Sequence, residues 1–311
     1  MDFAFPKAEL HLHLEGAVEM ETLRELAARH GLHEPPADLY QYDSFLGFLM
    51  AFKRVCDHLR GPEDYALATR RLLERLRGEG VVYAEVYFSA GTCLLKKMEV
   101  GPVFDAIRAE EAPGLRVHWI FDAVRQFGAE AAEEVARLAA RYRDRGVVAI
   151  GIGGSEEDGP PRLFRRVYEQ ARAEGLRLTA HAGETTGPEA VWETIRELGP
   201  DRIGHGCSVV QDPVLVEYLR ERQIPIEVSV TSNYATGAVV GEHPVRRMFD
   251  AGLLVVINTD DPAMFSSTLT GEYRRLVERH GFTQGEVRRL AGNAFRAAFA
   301  PADVVPCSPE G

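Results

Sequence analysis

Nowhere along this chain do about 18 apolar residues run together, which excludes an ordinary helical membrane span. Cysteine is scarce: Cys56, Cys93, Cys207 and Cys307 are scattered with no C-x-x-C pair, so disulfides are not expected and a reducing, cytoplasmic setting is. Basic charge is outweighed, 36 Lys and Arg against 47 Asp and Glu, and no basic stripe or arm stands out. A nucleic-acid polymer is therefore not an expected partner. The segment Met1–Lys7 lacks the basic stretch and apolar run of a secretory signal. Internal repeats and low-complexity tracts are missing too. So is a glycine-rich phosphate turn after the first predicted strand, where Leu14-Glu15-Gly16-Ala17 stands instead. That counts against an open doubly wound sheet.

What is present is a strand–helix alternation. Eight short apolar segments have strand character: Lys7–His13, Val81–Ser89, Arg116–Phe121, Val147–Ile152, Arg177–His181, Arg202–Gly206, Pro225–Val230 and Leu253–Thr259. Several, such as Leu253-Leu254-Val255-Val256-Ile257, are apolar throughout, as strands buried on both faces are. Amphipathic stretches of helical period lie between them at Pro62–Gly78, Ala129–Arg145, Pro161–Glu174, Pro188–Leu198, Pro213–Arg222 and Val245–Ala251. Proline early and glycine late punctuate them, as at Pro161/Gly175 and Pro188/Gly199. The expected architecture is an α/β chain closed into a (β/α)8 TIM barrel, one domain over 1–311. The first unit is far longer than the others. With Pro62–Gly78 as its outer helix, Ala17–Gly61 remains as a helical, lid-like insert after strand 1, on the face where barrel active sites lie. Its most apolar part is Phe45–Phe52. This reads as a helix packed on the barrel rim, and also as an apolar cover with Phe45 and Phe48 facing a flat ligand.

Polar residues cluster where the strands end. Strand alternation points His11 and His13 the same way, the spacing two ligands of one metal need. His181 closes a strand, and the turn Ala182-Gly183 brings Glu184 back toward it. His205 lies between two glycines, and Asp260-Asp261 stands where the eighth strand stops. Adjacent buried acids repel unless a cation or donors neutralise them. A closed barrel would gather these groups at one mouth. Nitrogen and oxygen donors without thiolate fit zinc first, leaving iron, cobalt and manganese open, and the chemistry is metal-assisted hydrolysis. His30, His33, His58, His118 and His280 read as ordinary surface or core histidines.

Five motifs carry a resemblance. His11-Leu12-His13-Leu14-Glu15-Gly16, His181-Ala182-Gly183-Glu184, Arg202-Ile203-Gly204-His205-Gly206, the run Thr231–Val239 and Asn258-Thr259-Asp260-Asp261-Pro262 occur in series. Together they resemble the adenosine deaminase family over about residues 7–275. The likeness implies a zinc-bearing amidohydrolase barrel with one Zn2+ per subunit, and a small-molecule purine nucleoside as its partner. His11, His13, His181 and Asp260 would hold the metal. Glu184 would protonate ring N1, and His205 would orient the attacking hydroxide and steady the developing charge. Asp261 would take a hydrogen bond from the attacking water and help hold N7. Gly154 resembles the backbone donor to N3, His13 would also contact the substrate, and Glu15 would stand near the sugar's 5′ end.

One departure bears on the substrate. The adenosine-specific pattern has Asp where Glu15 stands, and adenine deaminases of the family carry Glu there. The Ser232–Val239 run is nearer the nucleoside deaminases. Adenosine and deoxyadenosine, giving inosine and deoxyinosine plus ammonia, are the first expectation. Aminodeoxyfutalosine, an adenine nucleoside whose 5′ carbon bears a carboxyphenyl ketone, is the second, as in one route to menaquinone; free adenine is the third. No basic residue for that carboxylate is identifiable from sequence. A phosphate- or amide-cleaving barrel would need a cationic clamp or bridging lysine at a strand end, which is lacking, and a silent binding protein would have lost a ligand or Glu184. The other zinc deaminase design needs Pro-Cys-x-x-Cys, and Val305-Pro306-Cys307-Ser308 has no second thiol.

Overall fold

In the computed structural model, residues 3–299 are described; Cys307 and its neighbours lie outside them. Eight parallel strands follow one another around a single sheet: β1 (Lys7–His13), β2 (Val81–Phe88), β3 (Arg116–Val124), β4 (Val147–Gly153), β5 (Arg177–Ala182), β6 (Arg202–His205), β7 (Ile226–Val228) and β8 (Val255–Ile257). Leu12 and Asp260 form a parallel bridge across the seam between β8 and β1. There His13 N–H donates to the Asp260 carbonyl at 2.8 Å, and Asp260 N–H donates to the His11 carbonyl at 3.0 Å. The Asn258 side-chain oxygen accepts from the backbone N–H groups of Leu10 and His11. The result is a nearly closed (β/α)8 barrel, and the expected fold class holds. No described helix is long and apolar enough to cross a membrane.

Strand β1 has the bounds expected from its pattern, and every residue in it is buried. The last two strands are shorter than their apolar runs. Val230 opens a helical turn, Val230–Ala235, so β7 stops at Val228. Ser, Thr and Asn favour such turns because their side chains bond locally to backbone. Helices the periodicity did not reveal fill the gap between β2 and β3 (Ala90–Leu95 and Val100–Ala109) and follow β8 (Leu269–His280 and Gln284–Ala297).

Between β1 and β2 lie α1 (Met20–Arg29), α2 (Phe45–His58) and α3 (Pro62–Gly78). Ser44 caps α2 by accepting from Gly47 N–H. One face of α2 buries Phe48, Ala51 and Val55, while Leu46 and Met50 are exposed on the other. Phe48 sits 5.2 Å from Phe265 and 5.6 Å from Tyr42 between ring centroids, fixing α2 across the mouth. Burying such a ring stabilises by about 1.5–3 kcal/mol. At the far end of α2 the Lys96 ammonium donates to the Cys56 and Leu59 carbonyls, helping to satisfy the helix C-terminus.

Candidate active site

The strand-end residues singled out from the sequence converge. His11, His181, His205 and Asp260 each offer a donor atom, all within 4.8 Å of one another, and His13, Asp260 and Asp261 form a second such group. His11 Nε2 and His181 Nε2 are 3.1 Å apart, and Asp260 Oδ1 lies 3.4 Å from both His11 Nε2 and His13 Nε2. Outer contacts set which ring nitrogen faces inward. Glu227 accepts from His11 Nδ1 at 2.8 Å, and the Ile152 carbonyl accepts from His181 Nδ1 at 3.1 Å. Both imidazoles thus turn Nε2 to the same point, where a cation would take the place of a shared proton. Nitrogen, oxygen and no sulfur is a donor set that fits a divalent zinc.

Two of these side chains are aimed by unusual backbone. His205 (φ 62°) and Asp260 (φ 67°) are left-handed, a conformation that costs about 1–3 kcal/mol in a non-glycine residue and clusters at functional sites. Gly16 is needed for a close approach: a Cβ there would lie 1.7 Å from Asp261 Oδ1.

Burial and charge then separate the acids. Asp260 is held well below the usual carboxylate range, because hydrogen bonds to His11 and His13 overcome the cost of burial. Its neighbour Asp261 is pushed well above that range by burial and by Asp260, and its Oδ1 has no hydrogen-bond partner among the described residues. Burial, then Asp260, raises Glu184 well above its ordinary value. Burial works against charge on His11, but Asp260 and Glu227 prevail and push it up to about 9. Burial lowers His205 to about 4, so its ring is neutral. Glu184 Oε2 stands 3.7 Å from His205 Nε2.

A cavity of about 400 Å3 opens above this cluster. Its inner wall includes His13, His181, Glu184, His205, Asp260, Asp261 and Gly154. Its outer wall includes Phe45, Phe48, Leu49, Phe52, Lys53 and Lys96. The two readings of Phe45–Phe52 therefore combine: α2 packs on the rim and also faces the cavity. Two expected site residues do not line it, His11, which lies in the cluster beneath, and Glu15. For Glu15 the reason is its burial. Its carboxylate is fully buried, takes Ser89 N–H at 3.1 Å and is pushed up to about 7 by burial.

Several supporting residues received no role from the sequence, although Ser232, Asn233 and Arg202 stand within its motifs. Ser232 Oγ donates to Asp260 Oδ2 at 2.6 Å, and Asn233 Nδ2 lies 2.9 Å from His205 Nδ1. Glu156 accepts from the backbone N–H groups of Gly183, Glu184 and Thr185, pinning the turn that carries Glu184. Behind His11, Glu227 pairs with the fully buried Arg202 at 2.5 Å, and Arg202 pairs with Glu85 at 2.5 Å. Asp122 lines the cavity, is pushed up to about 6 by burial, and has one oxygen without a partner among the described residues. Strand alternation could have flagged Glu85 and Glu227, since an acid within an apolar strand must find a partner.

A family model described as adenosine deaminase matches residues 6–305. An aminodeoxyfutalosine deaminase of Streptomyces avermitilis is 39% identical over 96% of this chain and 87% of the relative. An adenine deaminase of Bordetella avium is 38% identical over 95% of this chain and 98% of its own length. The solved structure of a Burkholderia ambifaria amidohydrolase with bound Zn superposes with a TM-score of 0.89 at 29% identity, covering 96% of this chain and 87% of that one.

Proposed function

The chain belongs to the adenosine deaminase family, hydrolases of C–N bonds, and from that premise we propose that it removes the 6-amino group of an adenine nucleoside extended at its 5′ end, with aminodeoxyfutalosine as the substrate. The carrying observation is the two-ended cavity. Ribose ends in a hydroxymethyl group, which would leave the aromatic outer wall of Phe45, Phe48 and Phe52 unfilled. A carboxyphenyl substituent would fill it, and the two lysines that line it, Lys53 (paired there with Asp57) and Lys96 (which also donates to the Cys56 and Leu59 carbonyls), offer positive charge for its carboxylate. They are the candidates for the basic residue that could not be picked out in sequence. The 39% identity with the Streptomyces enzyme supports the same reading.

His11, His13, His181 and Asp260 are the residues that would hold a divalent metal. When bound, zinc supplies a Lewis acid that lowers the pKa of water from 15.7 to about 7. His205, neutral and set by Asn233, offers its Nε2 hydrogen to the attacking oxygen. Asp261, made more basic by burial, takes a hydrogen bond from the attacking water through its unpartnered oxygen. As that oxygen adds to C6, electron density moves onto N1. Glu184, whose raised pKa keeps it protonated, delivers a proton there. Of the water's two protons, one passes through Asp261 to the amino group, which leaves as ammonia, and the other restores the Glu184 carboxyl, so that the 6-oxo purine remains with its proton on N1.

Adenine is the second reading, favoured by the 38% identity with the Bordetella enzyme and by Glu15. Rates with aminodeoxyfutalosine, methylthioadenosine, adenosine, deoxyadenosine and adenine, followed by the purine absorbance change, separate the readings. Filling the outer wall with an aryl group is expected to raise kcat/KM over adenosine by about 10–100-fold. Equal or faster turnover of adenosine or adenine would remove the 5′ assignment.

A further inference from the structure

Three residues outside the metal cluster, Val245, His243 and Asn233, form a directed chain of hydrogen bonds that ends on His205. Val245 N–H donates to His243 Nδ1 at 3.1 Å. A backbone amide can only donate, so Nδ1 of His243 is an acceptor and carries no proton. The neutral ring must then hold its proton on Nε2, and that atom is 3.1 Å from Asn233 Oδ1. The Asn233 amide is thereby oriented with oxygen toward His243 and Nδ2 toward His205 Nδ1, 2.9 Å away. An amide nitrogen also only donates. His205 Nδ1 is forced to accept, which leaves the His205 proton on Nε2, the nitrogen that faces the cavity beside Glu184.

We propose that His243 is a positioning residue that fixes, through Asn233, the Nε2–H tautomer of His205, so that His205 enters the reaction as a hydrogen-bond donor and not as the base that takes a proton from water. Two further observations agree. His243 is almost fully buried, packed 5.6 Å from the Tyr234 ring, so solvent does not scramble its contacts. Ser232 beside Asn233 bonds Asp260, so the turn Val230–Ala235 serves both ends of the site from adjacent residues. An Nε2 that carries a proton has no lone pair for a metal, which separates His205 from His11, His13 and His181 although its donor atom lies near theirs.

The role of His205 rests on the deaminase reading above; its tautomer does not. The test is a nitrogen NMR spectrum of 15N-histidine-labelled, zinc-loaded protein, His205 being assigned by its loss in His205→Gln. The expected result is a protonated Nε2 and an unprotonated Nδ1 at His205. The opposite tautomer in the wild-type protein overturns the proposal without any variant. Asn233→Asp replaces the donor to Nδ1 with an acceptor; protonated Nδ1 is expected, with kcat down about 10²–10³-fold and zinc content retained. His243→Phe keeps the ring's bulk but removes the donor. Mixed tautomers and a fall in kcat of about tenfold, with KM within about twofold, are expected, and His243→Gln should recover part of the loss. A loss carried by KM or by zinc content, with the His205 signals unmoved, would mean a merely structural role and contradict the proposal. If the wild-type protein deaminates no adenine nucleoside, the functional reading fails, and the spectrum still decides the tautomer.

Discussion

The two ends of the cavity are built differently. The inner end is made by strand termini, and several side chains there are backed by others: His11 by Glu227, Glu227 by Arg202, Asp260 by Ser232. The outer end is made by one face of α2 and nearby loops, with aromatic rings and two lysines. Lys53 is 64% exposed and paired with Asp57, and Lys96 is partly spent on α2 carbonyls. The inner end is over-determined and the outer end is replaceable. On the proposed reading, chemistry belongs to the barrel and the choice of substrate to the insert.

That contrast breaks or sharpens under substitution. The largest effect is expected at the inner end: Glu184→Gln keeps the shape of the protonated acid but cannot give up a proton. It should retain metal and substrate binding yet lose about 10²–10⁴-fold in kcat, read by absorbance together with elemental analysis. Near-normal turnover would strip Glu184 of its role. Glu227→Gln touches neither substrate nor metal. It weakens the contact that turns His11 and leaves Arg202 with one carboxylate fewer, so zinc affinity should fall about 10–100-fold in competition with a chelator. At the outer end Phe52→Ala should cost about tenfold in KM for the extended nucleoside and much less for free adenine. An equal loss for both would merge the two ends.

The smallest effect lies below the site and concerns stability. Burial, and after it Glu79, pushes Glu9 up to about 8, and its carboxyl accepts from Thr259 N–H and Oγ1 at the seam. The folded chain therefore keeps a proton that the unfolded chain loses above about pH 4.3. Between those values the unfolded state binds fewer protons, so stability contributed by Glu9 declines as pH rises toward 8. Glu9→Gln should flatten the fall in Tm from pH 5 to 8 by about a few degrees, by calorimetry. An unchanged slope would show that Glu9 is ionised in the folded protein.

The same division explains what was legible. Alternation in His11-Leu12-His13 and the buried apolar runs specify strand direction locally, so the barrel and the inner cluster could be read from one chain. Glu227 could be marked as an acid in need of a partner, but its pairing with Arg202 and His11 could not be read, because those contacts run across the barrel between different strands. Val230–Ala235 reads as the end of a strand until Ser232 and Asn233 find Asp260 and His205. The lysines of the outer wall look like any solvated helix face until α2 crosses the mouth. His243 carries no local signal at all, since its part depends on Val245, two residues on, and on Asn233, ten residues back.

The most direct test of the account is a zinc titration of chelator-stripped protein, with deamination measured at each point. One metal held by His11, His13, His181 and Asp260 predicts no activity at the start, a linear rise, and saturation at one zinc per chain. Turnover that survives complete stripping, or that needs a second equivalent, would contradict it.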